Sequence, residues 1–172
     1  MVASYDVVIL GAGSGGYACA LRAAQLGLSV AMVEKDKIGG TCLHRGCIPT
    51  KALLHAAEVA DAARNGSQLG VHATVDKIDL AGIQDYAASV VNRIYSGLTG
   101  LVRAGDIAVV SGEGRLVSVD GKLAVRVADE DYVGGYLVLA SGSFPRTLPG
   151  VEVDGHRRAH SARTTTQARS TR

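Results

Sequence analysis

A glycine-rich turn set between a strand and a helix constrains this chain more than any other feature. Tyr5-Asp6-Val7-Val8-Ile9-Leu10 is short and rich in β-branched residues, as expected of a strand buried in a parallel sheet. Gly11-Ala12-Gly13-Ser14-Gly15-Gly16 follows at once. Residues 15–26 then read as a helix, with Ala18, Leu21, Ala24 and Gln25 at helical spacing and Gly27 as its stop. A second strand is expected over residues 28–33, ending in Glu34. Strand, turn, helix and strand make a βαβ unit, which commits the chain to the α/β class.

The turn fits the pattern G-x-G-x-x-G, and each of its three glycines has a physical task. Gly11 permits the tight turn, Gly13 lets a pyrophosphate approach the backbone, and Gly16 lets the helix lie close on the strand. The helix start then offers unpaired N–H groups and its positive dipole end to the phosphates. Glu34, 18 residues past Gly16, is placed to accept hydrogen bonds from ribose hydroxyls, with Lys35 beside it. A carboxylate there suits an unphosphorylated ribose, so the expected ligand is FAD or NAD rather than NADP. Alone the glycine pattern is weak; in register with a strand, a helix and an acid it predicts a Rossmann-like dinucleotide domain.

The remaining sequence supports one such domain and little else. Apolar residues make up 47% of the chain but aromatics only 4%, so Val, Leu, Ile and Ala must fill the core. Helices are expected over residues 47–64, closed by Asn65-Gly66, and over residues 79–103, with Ile83, Tyr86, Val90, Ile94 and Leu98 on one face. Short strands over residues 107–110, 115–119, 123–127 and 136–140 read as a small β-meander returning to the main sheet, and Asp120-Gly121 is a hairpin turn signal. The domain is expected to span residues 1–155. From His156 onward there are five Arg, no acid and no Val, Leu, Ile or aromatic, so residues 156–172 are expected to be a disordered basic tail. Without that tail, 13 basic residues face 16 acidic ones, and no basic stripe points to nucleic acid. No apolar run is long enough for a signal peptide or a membrane span, which makes the cytoplasm the default compartment.

The run Gly39-Gly40-Thr41-Cys42-Leu43-His44-Arg45-Gly46-Cys47-Ile48-Pro49-Thr50-Lys51 carries the chemistry. Three readings of its cysteines stand side by side. In the first, Cys42 and Cys47 form a redox disulfide. Cys47 opens a helix, whose dipole favours an anionic sulfur, and Lys51 adds a cation one turn away. Pro49 is harmless so near a helix start. In the second, the two cysteines bind zinc with His44 and His55, although this spacing is not a usual zinc knuckle. In the third they are small buried residues that never bond. Gly39-Gly40 and Gly46 speak against that, since such permissive backbone suggests something large against this loop. Cys19, within the first helix, reads as a packing residue.

This run, extended through Ala52-Leu53-Leu54, resembles the active-site segment of the FAD-dependent pyridine nucleotide–disulfide oxidoreductases, and within them the dihydrolipoamide dehydrogenase branch. The resemblance includes Gly112-Glu113-Gly114-Arg115 and Ala140-Ser141-Gly142-Ser143, where Ser141 stands for the family's usual Thr. It implies that Gly11, Gly13 and Gly16 cradle the FAD pyrophosphate, and that Glu34 and Lys35 hold the adenosine end. Gly40, Thr41 and Lys51 would lie along the flavin side, Gly114 would meet the adenine by its backbone, and Ser141, Gly142 and Ser143 would close over the cofactor. Cys42 would exchange with a dihydrolipoyl group and Cys47 would lie against the flavin, with no metal involved. NAD⁺ would be the final acceptor and lipoyl groups of 2-oxo acid dehydrogenase complexes the partners, in a homodimer, with a disulfide reductase acting on another low-molecular-weight thiol as the alternative. The NAD domain, the returning FAD segment and the interface domain with its His–Glu pair do not fall within the resemblance. The expectation is therefore an N-terminal FAD-binding portion that does not turn over alone, ending in an aberrant or out-of-frame tail.

Overall fold

The computed structural model describes residues 1–151. The expected tail over residues 156–172 lies outside the described residues. The chain divides into two compact units. The first holds Met1–Cys42 and Tyr95–Pro145, and the second holds Leu43–Ile94 with the segment from Arg146.

The first unit is built on a six-stranded mixed sheet in the order β3-β2-β1-β6-β5-β4. Its strands are β1 (Val2–Leu10), β2 (Val30–Glu34), β3 (Ala108–Ser111), β4 (Arg115–Val119), β5 (Lys122–Val127) and β6 (Glu130–Leu139). β1 lies between β2 and β6 and pairs in parallel with both, while β3 joins the far side of β2, also in parallel. β4, β5 and β6 form the antiparallel part. Val7, Val8, Ile9, Val30, Ala31, Met32 and Val33 are all buried, so the centre of the sheet is covered on both faces. That explains why these strands read as continuous apolar runs rather than alternating ones.

Helix α1 (Ser14–Gln25) connects β1 to β2, and its buried residues are Gly16, Ala20 and Ala23. Spacing on Ala18, Leu21, Ala24 and Gln25 had pointed one position off: Ala18 and Gln25 are exposed, and Leu21 and Ala24 half-buried. The smallest side chains face the sheet because Gly16 already brings the helix against the backbone of Gly11. The strand expected in the meander over residues 107–110 is instead β3, Ala108–Ser111, of the parallel sheet. A helix precedes it, and a helical crossover returns the chain parallel to the strand it left.

The helical segments are α2 (Gly40–Arg45), α3 (Cys47–Asn65), a short 3₁₀ turn (Gly66–Leu69) and α4 (Leu80–Ala104). The second unit contains all of α3 and the 3₁₀ turn. Along α3 only Pro49 and Ala52 are buried. Along α4 the buried residues are Ala87, Leu98 and Val102, while Tyr86 and Ile94, expected on the inner face, are exposed. None of the described helices is long and apolar enough to cross a membrane.

Candidate functional site

The site grows from the carboxyl ends of β1, β2 and β6. The three glycines differ in what would meet an added side chain. Gly11 has φ +104°, and a Cβ there would overlap the carbonyl of Ala140 at the end of β6. A Cβ on Gly16 would overlap the carbonyl oxygen of Gly11. A Cβ on Gly13 would meet nothing within 4 Å. Packing therefore requires Gly11 and Gly16, whereas Gly13 faces open space. Gly13 also caps α1 without a side-chain hydrogen bond, and no acid occupies the first helical turn. The early N–H groups of a helix have no intrahelical acceptors, so this end can receive an anion.

Glu34 closes one side of the turn. Its carboxylate accepts hydrogen bonds from the N–H of Ala12 at 2.8 Å and of Asp36 at 2.9 Å, one on each oxygen. Each oxygen keeps a further lone pair for an incoming hydroxyl. The backbone carbonyl of Glu34 accepts from Gly112 N–H at 2.9 Å, which brings the Gly112–Gly114 turn to the same strand end. Gly114 owes its missing side chain to the core: a Cβ there would meet Leu10 at 2.6 Å and Val125 and Val33 at 2.8 Å.

The cysteine-bearing segment docks on the glycine turn. Gly39 N–H donates to Ala12 O at 2.8 Å, and a Cβ on Gly40 would lie 2.8 Å from Gly13 Cα. With φ +106° at Gly39 and +58° at Gly40, this is the permissive backbone noted in the sequence, and here it lies against the chain's own turn. Thr41 is exposed and Cys42 half-buried two residues past that contact, on α2. The sequence had suggested a loop there, because six residues beginning at a glycine are too few to show helical periodicity. Cys47 and Lys51 are both exposed on the first turns of α3, in the second unit. Among the described residues, no group of three or more His, Cys, Asp or Glu side chains could hold a metal ion.

On the β6 side, Ala140 N–H donates to Leu10 O at 2.8 Å, and Ser141, Gly142 and Ser143 follow, all exposed. Gly142 has φ +77°. Sequence reasoning passed over Phe144, whose ring centroid lies 5.2 Å from Lys35 Nζ. Its signal was scarcity, as it is the only Phe in a chain without Trp. An open glycine turn at a helix start with a rim carboxylate fits the phosphate and ribose of a dinucleotide.

The chain is similar in sequence and in fold to known proteins. The chain is 44% identical over 165 residues to a dihydrolipoyl dehydrogenase of Bacillus subtilis (strain 168), covering 90% of this chain and 35% of that protein. A dihydrolipoyl dehydrogenase of Chlamydia trachomatis serovar D is 43% identical over 151 residues, with 86% of this chain and 32% of that protein covered. The crystal structure of LpdA from Mycobacterium tuberculosis superposes with a TM-score of 0.81 at 25% identity, over 92% of this chain and 36% of that one. The chain thus spans about a third of the length of these relatives. Residues 5–172 match the family described as pyridine nucleotide-disulphide oxidoreductase, and the chain belongs to it.

Proposed function

We propose that this chain is the FAD-binding part of a dihydrolipoyl dehydrogenase-like enzyme, with Cys42 and Cys47 as its redox-active disulfide. The observation that carries the reading is the docking of Gly39 and Gly40 on Ala12 and Gly13. It sets Cys42 two residues from the turn on which the cofactor phosphates would rest. Gly13 and the α1 start would hold the pyrophosphate, Glu34 the ribose, and Ser141 to Ser143 the face beyond β6. Thr41 and Lys51 would serve the flavin side.

Bound FAD would supply hydride chemistry toward a nicotinamide, which no side chain of the protein can offer. The protein's own part is thiol–disulfide exchange. A dihydrolipoyl thiolate attacks Cys42 Sγ, the Cys42–Cys47 bond breaks, and Cys47 leaves as a thiolate. The second dihydrolipoyl sulfur then displaces Cys42, which closes the lipoyl disulfide and leaves both cysteines reduced. Two electrons have moved from substrate to protein, with NAD⁺ as the final acceptor of the overall reaction. Lipoyl groups of 2-oxo acid dehydrogenase complexes are the proposed dithiol source.

The test is an absorbance spectrum of the purified chain before and after excess dihydrolipoamide. Yellow protein whose visible band bleaches or moves to longer wavelength supports the reading, and a Cys47→Ser variant should lose the response. Yellow protein that responds to dihydrolipoamide without forming NADH would restrict this chain to the half-reaction. Colourless protein that takes up no added FAD would sink the proposal.

A further inference from the structure

The segment that leaves β6 runs as a strap across the mouth of the dinucleotide site. One end is fixed where Ala140 bonds to Leu10 and where Ser141 Cα would sit 3.1 Å from a Cβ on Gly11. The other end is fixed at Phe144, over Lys35. Because β1 lies between β6 and β2, residues 140–144 must pass the carboxyl end of β1, where the glycine turn begins. Lys35 directly follows Glu34, so the strap ends on the residue next in sequence to the acid assigned to the ribose.

Burial does not explain Phe144, which is 82% exposed. Its contact with the Lys35 ammonium steadies the ring in water, as cation–π pairs do. A steadied, solvent-facing ring on the lysine that follows the ribose acid can serve as a stacking platform, and purines stack well on aromatic side chains.

We propose that Phe144 binds the adenosine end of the cofactor, with its ring, held by Lys35, stacking on the purine. This rests on the reading that the chain binds FAD. The two ends of the site are distinct: the flavin side is assigned to the Gly40–Cys42 segment, and Phe144 is tied to Lys35 at the end of β2.

The test compares FAD with ADP, which carries the purine, ribose and pyrophosphate but no flavin. Affinities of both are measured by calorimetry for the full chain and for Phe144→Ala, Phe144→Tyr and Lys35→Gln. Phe144→Ala should weaken FAD and ADP by a common factor of roughly 10. Phe144→Tyr should restore both, and Lys35→Gln should cost about 2- to 5-fold. Thermal melting of the free variants should be unchanged, given the exposure of the ring. Unchanged ADP affinity in Phe144→Ala would overturn the proposal, and so would tighter binding, which would make the ring an obstacle. If the unaltered chain binds neither FAD nor ADP, the underlying reading fails and this one goes with it. Binding by the unaltered chain with no effect of Phe144→Ala removes the strap's role alone.

Discussion

The glycines of the first turn share a letter and a motif but not a cause. Gly16 faces backbone, which cannot move aside as a flexible side chain could, so Gly16→Ala must shift the helix off the strand. The expected loss is about 2–3 kcal/mol or more of folding stability, in the upper range for overpacked sites. Gly13 has φ −69° and ψ −173°, an extended conformation open to any residue, and no neighbour near its missing Cβ. Gly13→Ala should therefore cost about 1 kcal/mol or less, the ordinary penalty for alanine at a helix N-cap. Yet its methyl would stand where the pyrophosphate is proposed to lie, so FAD affinity should fall at least about tenfold, some 1.4 kcal/mol. Denaturant unfolding and FAD titration of the two variants separate packing from binding. Equal stability losses would refute the distinction. The pattern itself was legible in the sequence because both roles require glycine. The sequence also pointed Gly11 to the turn and Gly16 to close helix packing, but it could not show that Gly11 must clear the carbonyl of Ala140, which returns on a strand more than a hundred residues away.

Whether an element was legible depended on how much of its pattern is local. β4 was found at its true bounds, and the Asp120-Gly121 hairpin turn shows the positive φ angles, +49° and +76°, that this dipeptide favours. β6 was found only in its apolar half. It begins at Glu130 after a turn whose left-handed residue, φ +49°, is Ala128, and alanine gives no turn signal. The early part of β1 was missed for the same kind of reason: Val2 to Ser4 pair with Asp131 to Val133, a partnership invisible from one end. Two carboxylates tie these strand ends. Asp131 accepts both Nε and an Nη of Arg126 at 2.6 and 2.8 Å across β5 and β6, and the arginine holds its carboxyl below the usual range. Asp6 accepts from the hydroxyl and backbone N–H of Ser29, which likewise lower it. A carboxyl lowered by folding adds stability above its unfolded pKa, near 3.9, and loses that contribution as pH falls through the lowered folded value. Unfolding free energy should thus drop steadily below about pH 4, and Asp131→Asn and Asp6→Asn should each flatten that limb. Stability profiles of the two variants that parallel the parent's would rule these groups out. Tyr132 sets the opposite limb. Its hydroxyl donates to Glu130 at 2.7 Å and is pushed up to about 12, so its contribution is complete below about pH 10 and fades as pH rises through 12.

At the scale of the whole sheet, the edges differ in how they are guarded. β3 is an edge only four residues long, too short to template much pairing. β4 carries Arg115 at its start and a tight charged turn at its end. β6 is another matter. β5 covers only Glu130 to Val133, so among the described residues the side of β6 away from β1 has no ladder partner from Gly134 onward. That stretch, Gly134-Gly135-Tyr136-Leu137-Val138-Leu139-Ala140, holds no charge and no proline, and its Tyr136 and Leu139 are 72% and 60% exposed. A cavity of about 600 Å³ beside it is lined by Tyr5, Leu123, Val133 and Leu137 together with Ser4 and Lys122, so the floor of the open ladder is mainly apolar with one cation at it. An uncharged strand edge with a mainly apolar surround recruits another strand, and in a purified sample the strand at hand belongs to a second copy. Self-association should therefore grow with protein concentration in light scattering. Tyr136→Lys places a charge on the open edge and should suppress it, while leaving the Glu34 and Gly13 geometry and hence FAD uptake in place. A parent chain that stays monodisperse as concentration rises would show that this edge is satisfied, and that the expectation drawn from it is wrong.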